Sequence, residues 1–144
     1  MDFQNAVKTC FQKYADFNGR ASRPEFWWFF LFCLLTSIVL SMISHYISTA
    51  FSLATLLPTL AVGSRRLHDT NKSGWLQLGF IISYIVGFVL IGFGAASLMV
   101  TGSPNMLLMG LGSILSLATF VVFVILMAKE GDAAENQYGE VSTN

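Results

Sequence analysis

Two long stretches without a formal charge constrain this chain more than any other feature. Residues 26–64 contain no Asp, Glu, Lys or Arg, and neither do residues 73–128. Uncharged blocks of that length do not make soluble loops. Each is too long for one membrane crossing of about 20 apolar residues and suits two crossings joined by a short turn. Between them lies a charged island: Arg65-Arg66-Leu67-His68-Asp69-Thr70-Asn71-Lys72-Ser73-Gly74-Trp75.

The rest of the chain agrees with membrane solvation. Only 11% of residues are charged and 54% are hydrophobic, against about 25% charged in an average soluble domain. A single soluble domain of this length could not bury so much apolar surface. The net charge is zero, so the whole chain has no electrostatic pull toward nucleic acid. Cys10 and Cys33 form neither a disulfide framework nor a metal motif. No cofactor loop, metal-ligand spacing or marked catalytic nucleophile is present. Residues 1–25 lack the apolar core of a cleavable signal, so the first span is expected to be retained.

The expected fold is an all-α membrane protein with four transmembrane helices, arranged as two hairpins, behind an N-terminal amphipathic interfacial helix. Phe3, Val7, Cys10, Phe11, Tyr14 and Phe17 recur at three- and four-residue steps, which predicts that helix over Phe3–Phe17. Its rings can lie in the headgroup region or against the protein itself. A turn at Asn18-Gly19 completes a first segment, residues 1–21. The sequence Ser22-Arg23-Pro24-Glu25 is a capping box that opens the membrane domain, residues 22–128. The spans are expected at about 24–44, 51–67, 75–98 and 106–127, with an outer turn over His45–Ser52. Pro58 interrupts the second span and frees the carbonyl of Ala54, with Thr55 and Thr59 as candidate donors. Gly79, Ser83 and Gly87, then Gly92 and Ala96, carry small-residue spacing suited to close helix packing. A polar, loosely ordered tail, residues 129–144, follows.

Threading follows from charge. All eight Lys and Arg residues lie before the first span, between the second and third, or after the fourth. The positive-inside rule then places both termini and the middle loop in the cytoplasm.

Three segments carry a family resemblance. Phe17-Asn18-Gly19-Arg20-Ala21-Ser22-Arg23-Pro24-Glu25-Phe26-Trp27-Trp28, the island Arg65–Trp75 and Asn136-Gln137-Tyr138-Gly139 together resemble the DUF805 family of small bacterial inner-membrane proteins. The resemblance implies a multi-pass inner-membrane protein and implies no activity.

The candidate site is a cytoplasmic cluster of Arg20, Arg23, Glu25, Arg65, Arg66, His68, Asp69, Lys72 and Trp75, with Asn136 and Tyr138 covering it. Arg can hold a carboxylate through two parallel hydrogen bonds, so Glu25 or Asp69 is expected to pair with an arginine. Such a basic cluster can bind an anionic lipid headgroup or a partner protein; equally, its charges can simply set orientation, and its tryptophans can form an interfacial belt. His68 and Asp69 are adjacent and point in different directions on a helix, so they form no ready-made acid–base dyad. The expected function is non-enzymatic. The rival is a small channel or transporter subunit, which four uncharged spans would build only as a homo-oligomer using hydroxyls such as Ser83, Ser116 and Thr119.

Overall fold

Five helices make up the regular structure in the computed structural model, which describes residues 1–141. They are α1 (Phe3–Gln12), α2 (Arg23–Ile43), α3 (His45–Asp69), α4 (Leu76–Thr101) and α5 (Met106–Ala128), and there is no β-strand among the described residues. Helices α2 to α5 are each long and apolar enough to cross a membrane. At 1.5 Å per residue, the 21 residues of α2 span about 30 Å, the thickness of a hydrocarbon core. The chain divides into two compact units: Met1–Gly74 together with the segment from Met127 onward, and Trp75–Leu126. Every Asp, Glu, Lys and Arg belongs to the first unit.

In the first unit α1 starts at Asp2, whose side chain accepts from the Asn5 amide at 2.8 Å. It ends at Gln12, five residues before the expected boundary at Phe17. The chain then turns, with the Asp16 amide on the Lys13 carbonyl at 3.2 Å, and Tyr14 lies in that turn. Proline has no amide hydrogen, so Pro58 leaves the Ala54 carbonyl without its helical donor, and the Tyr14 hydroxyl donates to that carbonyl. Thr55 and Thr59, the donors expected from the sequence, instead bond Phe51 and Thr55 carbonyls at 2.9 and 2.7 Å. Asp16 then accepts from the Asn18 amide at 3.0 Å, and Gly19 takes a left-handed φ of 79°. The apolar face of α1 lies on α2. Phe3 meets the Trp28 ring edge-on at 5.9 Å, and Phe11 meets Phe29 at 5.6 Å. Ala6 and Cys10 are fully buried beneath those rings.

Helix α2 begins where the capping residue places it. The Ser22 hydroxyl accepts from the Glu25 amide at 3.4 Å, and Pro24 occupies the first turn. Glu25 does not reach back to complete the box; its carboxylate turns inward to Arg65. A single extended residue, Ser44, separates α2 from α3. The expected outer turn over His45–Ser52 is therefore helical. Its hydroxyls make this possible by returning to the helix: Thr49 and Ser52 donate to the carbonyls of His45 and Ser48 at 2.9 Å, which conceals polar atoms from lipid. Beyond the last residue of helix α3, Asp69, Asn71 takes a left-handed φ of 55°. The Lys72 amide then returns to the Leu67 carbonyl at 3.0 Å, which closes the helix in a Schellman turn.

The second unit is the α4–α5 hairpin. Gly102, at φ 77°, caps α4, and the Asn105 amide bonds the Gly94 carbonyl at 2.8 Å. The two helices approach closely at Gly87, Gly94 and Gly112: an added Cβ would lie 2.3 Å from Ser116 Oγ, 2.9 Å from the Asn105 oxygen and 2.5 Å from the Gly87 oxygen respectively. Ser83 and Thr119 hydroxyls meet at 2.7 Å. Gly79 and Gly92, which share the expected small-residue spacing, face open space. Ser113, Ser116 and Thr119 each donate to a carbonyl one turn back, so these hydroxyls serve the helices that carry them.

Candidate functional site: a buried ion cluster under the C-terminal tail

The charged island is not a solvated loop. Every residue from Ala61 to Thr70 is buried, and Arg65 and Arg66 are among the largest fully buried side chains. An isolated buried charge is strongly unfavourable, so each needs a partner close by. Those partners come from three distant parts of the chain.

Asp69 is the hub. Its Oδ1 accepts from Arg20 Nε at 2.9 Å, and its Oδ2 accepts from Arg66 Nη1 at 2.5 Å. Arg20 reaches Asp69 because the Ala21 amide bonds the Arg65 carbonyl at 2.9 Å, fixing residues 19–22 along the end of α3. Glu25 forms a second pair, with Arg65 Nη1 at 2.5 Å from its Oε1. Both side chains are at most 1% exposed. Glu25 Oε2 and Arg65 Nε and Nη2 make no hydrogen bond. The Cys10 thiol lies in the same surroundings; burial, with the Glu25 charge adding to it, pushes its pKa up to about 12. Cys10 is thus a neutral packing residue.

Three buried guanidiniums against two carboxylates leave an excess of one positive charge. Backbone carbonyls of the tail offset it. Arg66 Nε donates to the Met127 carbonyl at 3.0 Å, and its Nη2 donates to that of Lys129. This caps the negative end of α5, where carbonyls lack helical donors. Arg20 donates to the carbonyls of Ala134 at 2.7 Å and Asp132 at 2.5 Å. The Asp132 amide returns to the Asp69 carbonyl at 2.8 Å.

Through Gly139 the tail is therefore held, where loose order was expected over residues 129–144; residues 142–144 lie outside the described residues. Asn136 donates to the His68 carbonyl at 3.0 Å and accepts from the Tyr138 amide at 2.9 Å. This turn, closed by Gly139 at φ 116°, lays the Tyr138 ring flat on the His68 ring, 3.8 Å away and 2° from parallel. His68 Nδ1 lies 3.1 Å from the Gly19 carbonyl. Both Asp69 oxygens accept from arginines.

Gly131 is required where the tail crosses Asp69. A Cβ there would lie 2.0 Å from Asp69 Oδ2. A carboxylate could usually rotate away, but two arginines pin this one. Gly131→Ala should lift the tail from the cluster. Limited trypsin digestion checks this: cleavage after the exposed Lys129 should accelerate at least tenfold, and an unchanged rate would show that the tail tolerates the methyl group.

Of the nine site residues expected from the sequence, the structure brings six together: Arg20, Glu25, Arg65, Arg66, His68 and Asp69. Arg23 stays at the rim, with its side chain 48% exposed and 3.3 Å from the still more open Glu130. Lys72 is half-buried. Trp75 begins the second unit and is 77% exposed. Sequence reasoning missed Tyr14 and Gly131, whose roles depend on contacts 40 or more residues away, and missed Met127, Lys129 and Asp132, which act through backbone atoms alone.

Comparison with known proteins shows the family of this chain. The family model described as "Protein of unknown function (DUF805)" matches residues 14–140, from Tyr14 through the tail turn. Inner membrane protein YhaI of Escherichia coli (strain K12) is 38% identical over 89 residues, covering 57% of this chain and 75% of that protein. Inner membrane protein YhaH of the same strain is 33% identical over 105 residues, 65% of this chain and 84% of that protein. Uncharacterized protein YiiR is 33% identical over 132 residues, 86% of this chain and 84% of that protein. No solved structure matches. With four apolar spans and a match covering all three motif segments, the chain is a multi-pass membrane protein and belongs to the DUF805 family.

Proposed function

We propose that this protein is a non-enzymatic membrane protein whose charged end faces the cytoplasm and binds anionic phospholipid. The observation that carries this reading is the division of labour among its cations. Arg20, Arg65 and Arg66 are buried and engaged by carboxylates or carbonyls. Arg23 stands at the start of a membrane span, half-exposed, with only a solvent-screened partner. The cluster is the rigid base, and the rim meets the ligand. Basic residues beside helices at a cytoplasmic surface recognise anionic headgroups in this manner. A catalytic reading has less support, because the one histidine–carboxylate neighbour pair is committed to structural bonds.

Native mass spectrometry of the purified protein with equal amounts of phosphatidylglycerol and phosphatidylcholine tests the reading. Phosphatidylglycerol adducts should predominate by about fivefold, the gain expected for one favourable cation near a headgroup. Equal occupancy of the two lipids would overturn the proposal.

A further inference from the structure

A groove of about 700 Å³ runs along α2, lined by Arg23, Pro24, Trp27, Phe30, Leu31 and Leu34 among its residues. It is almost wholly apolar apart from the guanidinium at its mouth. Arg23, Trp27, Leu31 and Leu34 lie four, four and three residues apart, so they form one stripe on the helix. Trp27 packs edge-on to Phe26 and Phe30 at 5.3 and 5.9 Å, which makes its ring a fixed wall.

The chemistry changes in a definite order along this stripe. A cation comes first, then an aromatic ring with an N–H donor, then branched aliphatic side chains. A phospholipid lying beside the helix presents the same order: phosphate, ester carbonyls, acyl chain. The lengths agree as well. From Arg23 to Leu34 the helix rises about 16 Å, and half a hydrocarbon core is about 15 Å deep. Charge selects the headgroup, since a guanidinium matches a phosphate with paired donors. Glu130 is a weak competitor: the pair is open to solvent, and exposed pairs of this kind contribute little.

We infer that this groove is a specific binding site for one anionic phospholipid of the leaflet at the charged end, with its phosphate on Arg23 and one acyl chain along Trp27, Leu31 and Leu34. The inference rests on the lipid-binding reading above and locates it. No residue of the buried cluster touches the ligand.

The test uses the full chain in nanodiscs, with Trp28→Phe, which keeps an aromatic ring at a position that also lines the groove, and Trp75→Phe leaving Trp27 as the sole tryptophan. Phosphatidylglycerol and phosphatidylcholine with brominated acyl chains serve as quenchers at equal mole fraction. Trp27 should be quenched by the brominated phosphatidylglycerol with about fivefold higher apparent affinity. Arg23→Gln should abolish that difference and Arg23→Lys should retain part of it, with the melting temperature unchanged in both. Equal quenching by the two lipids, in a protein that still prefers phosphatidylglycerol by native mass spectrometry, would overturn the groove and leave the broader reading standing. So would a headgroup preference of Trp27 quenching that survives Arg23→Gln. Absence of any anionic preference in both measurements would overturn the two together.

Discussion

Replacing Asp69 with Ala should destabilise the first unit by about 3–5 kcal/mol, the range for breaking a buried ion pair from one side. Asp69 is 8% exposed, and the two guanidiniums it holds are 1% and 0% exposed. Without its carboxylate, Arg20 and Arg66 face each other across a dry site with only carbonyls for compensation. The tail also loses its anchor, because the Asp132 amide and the Gly131 crossing both depend on the position of Asp69. Unfolding in mixed micelles of rising SDS fraction measures the change. Arg23→Ala is the internal control, expected within about 0.5 kcal/mol of the parent because its ion pair is exposed. If Asp69→Ala unfolds as late as Arg23→Ala, the cluster does not hold this unit together.

Glu25 and Arg65 should behave differently, since their pairing is incomplete. Glu25→Ala leaves a fully buried arginine uncompensated and is expected to be about 3–5 kcal/mol less stable. The double change Glu25→Leu with Arg65→Met should recover most of that loss, ending within about 1 kcal/mol of the parent. The reasoning is geometric. One oxygen of Glu25 and two nitrogens of Arg65 have no hydrogen bond, and each such buried group forfeits about 1–3 kcal/mol. The attraction in the pair is thus set against uncompensated desolvation, and apolar side chains of similar volume avoid both. A double-mutant cycle in the same SDS titration isolates the coupling. A double variant that stays about 3 kcal/mol or more below the parent would show that the pair is a net stabiliser.

Much of the fold was legible because membrane solvation leaves a coarse record in sequence. Charge-free blocks located the spans, and Ser22 with Pro24 located the start of α2. The pairing of Glu25 and Asp69 with arginines was also foreseeable, since a carboxylate in such a setting has few other partners. What could not be read was which arginine each would choose. That depends on Ala21 hydrogen-bonding to Arg65, a contact between segments 44 residues apart. The start of α3 was misplaced because His45–Ser52 is polar by composition, yet its hydroxyls fold back onto carbonyls and leave a helix that lipid tolerates. The donor to Ala54 was sought among neighbouring threonines, where short hydroxyl side chains usually serve, and came instead from Tyr14 on another helix. Carbonyl acceptors such as Met127 and Lys129 carry no side-chain signature at all.

The wide separation in sequence between Arg66 and its carbonyl acceptors has a consequence for biosynthesis. A ribosome translates Arg20 and Arg66 long before Met127, Lys129, Asp132 and Ala134, some 61 to 114 residues later. Throughout that interval the nascent chain carries both guanidiniums with Asp69 as their carboxylate partner but without the carbonyl acceptors of the C-terminal segment. A chain ending after its fourth span would keep Arg20 and Arg66 on Asp69, and Arg66 on the Met127 carbonyl, but would lack the carbonyls of Lys129, Asp132 and Ala134 that complete the cluster.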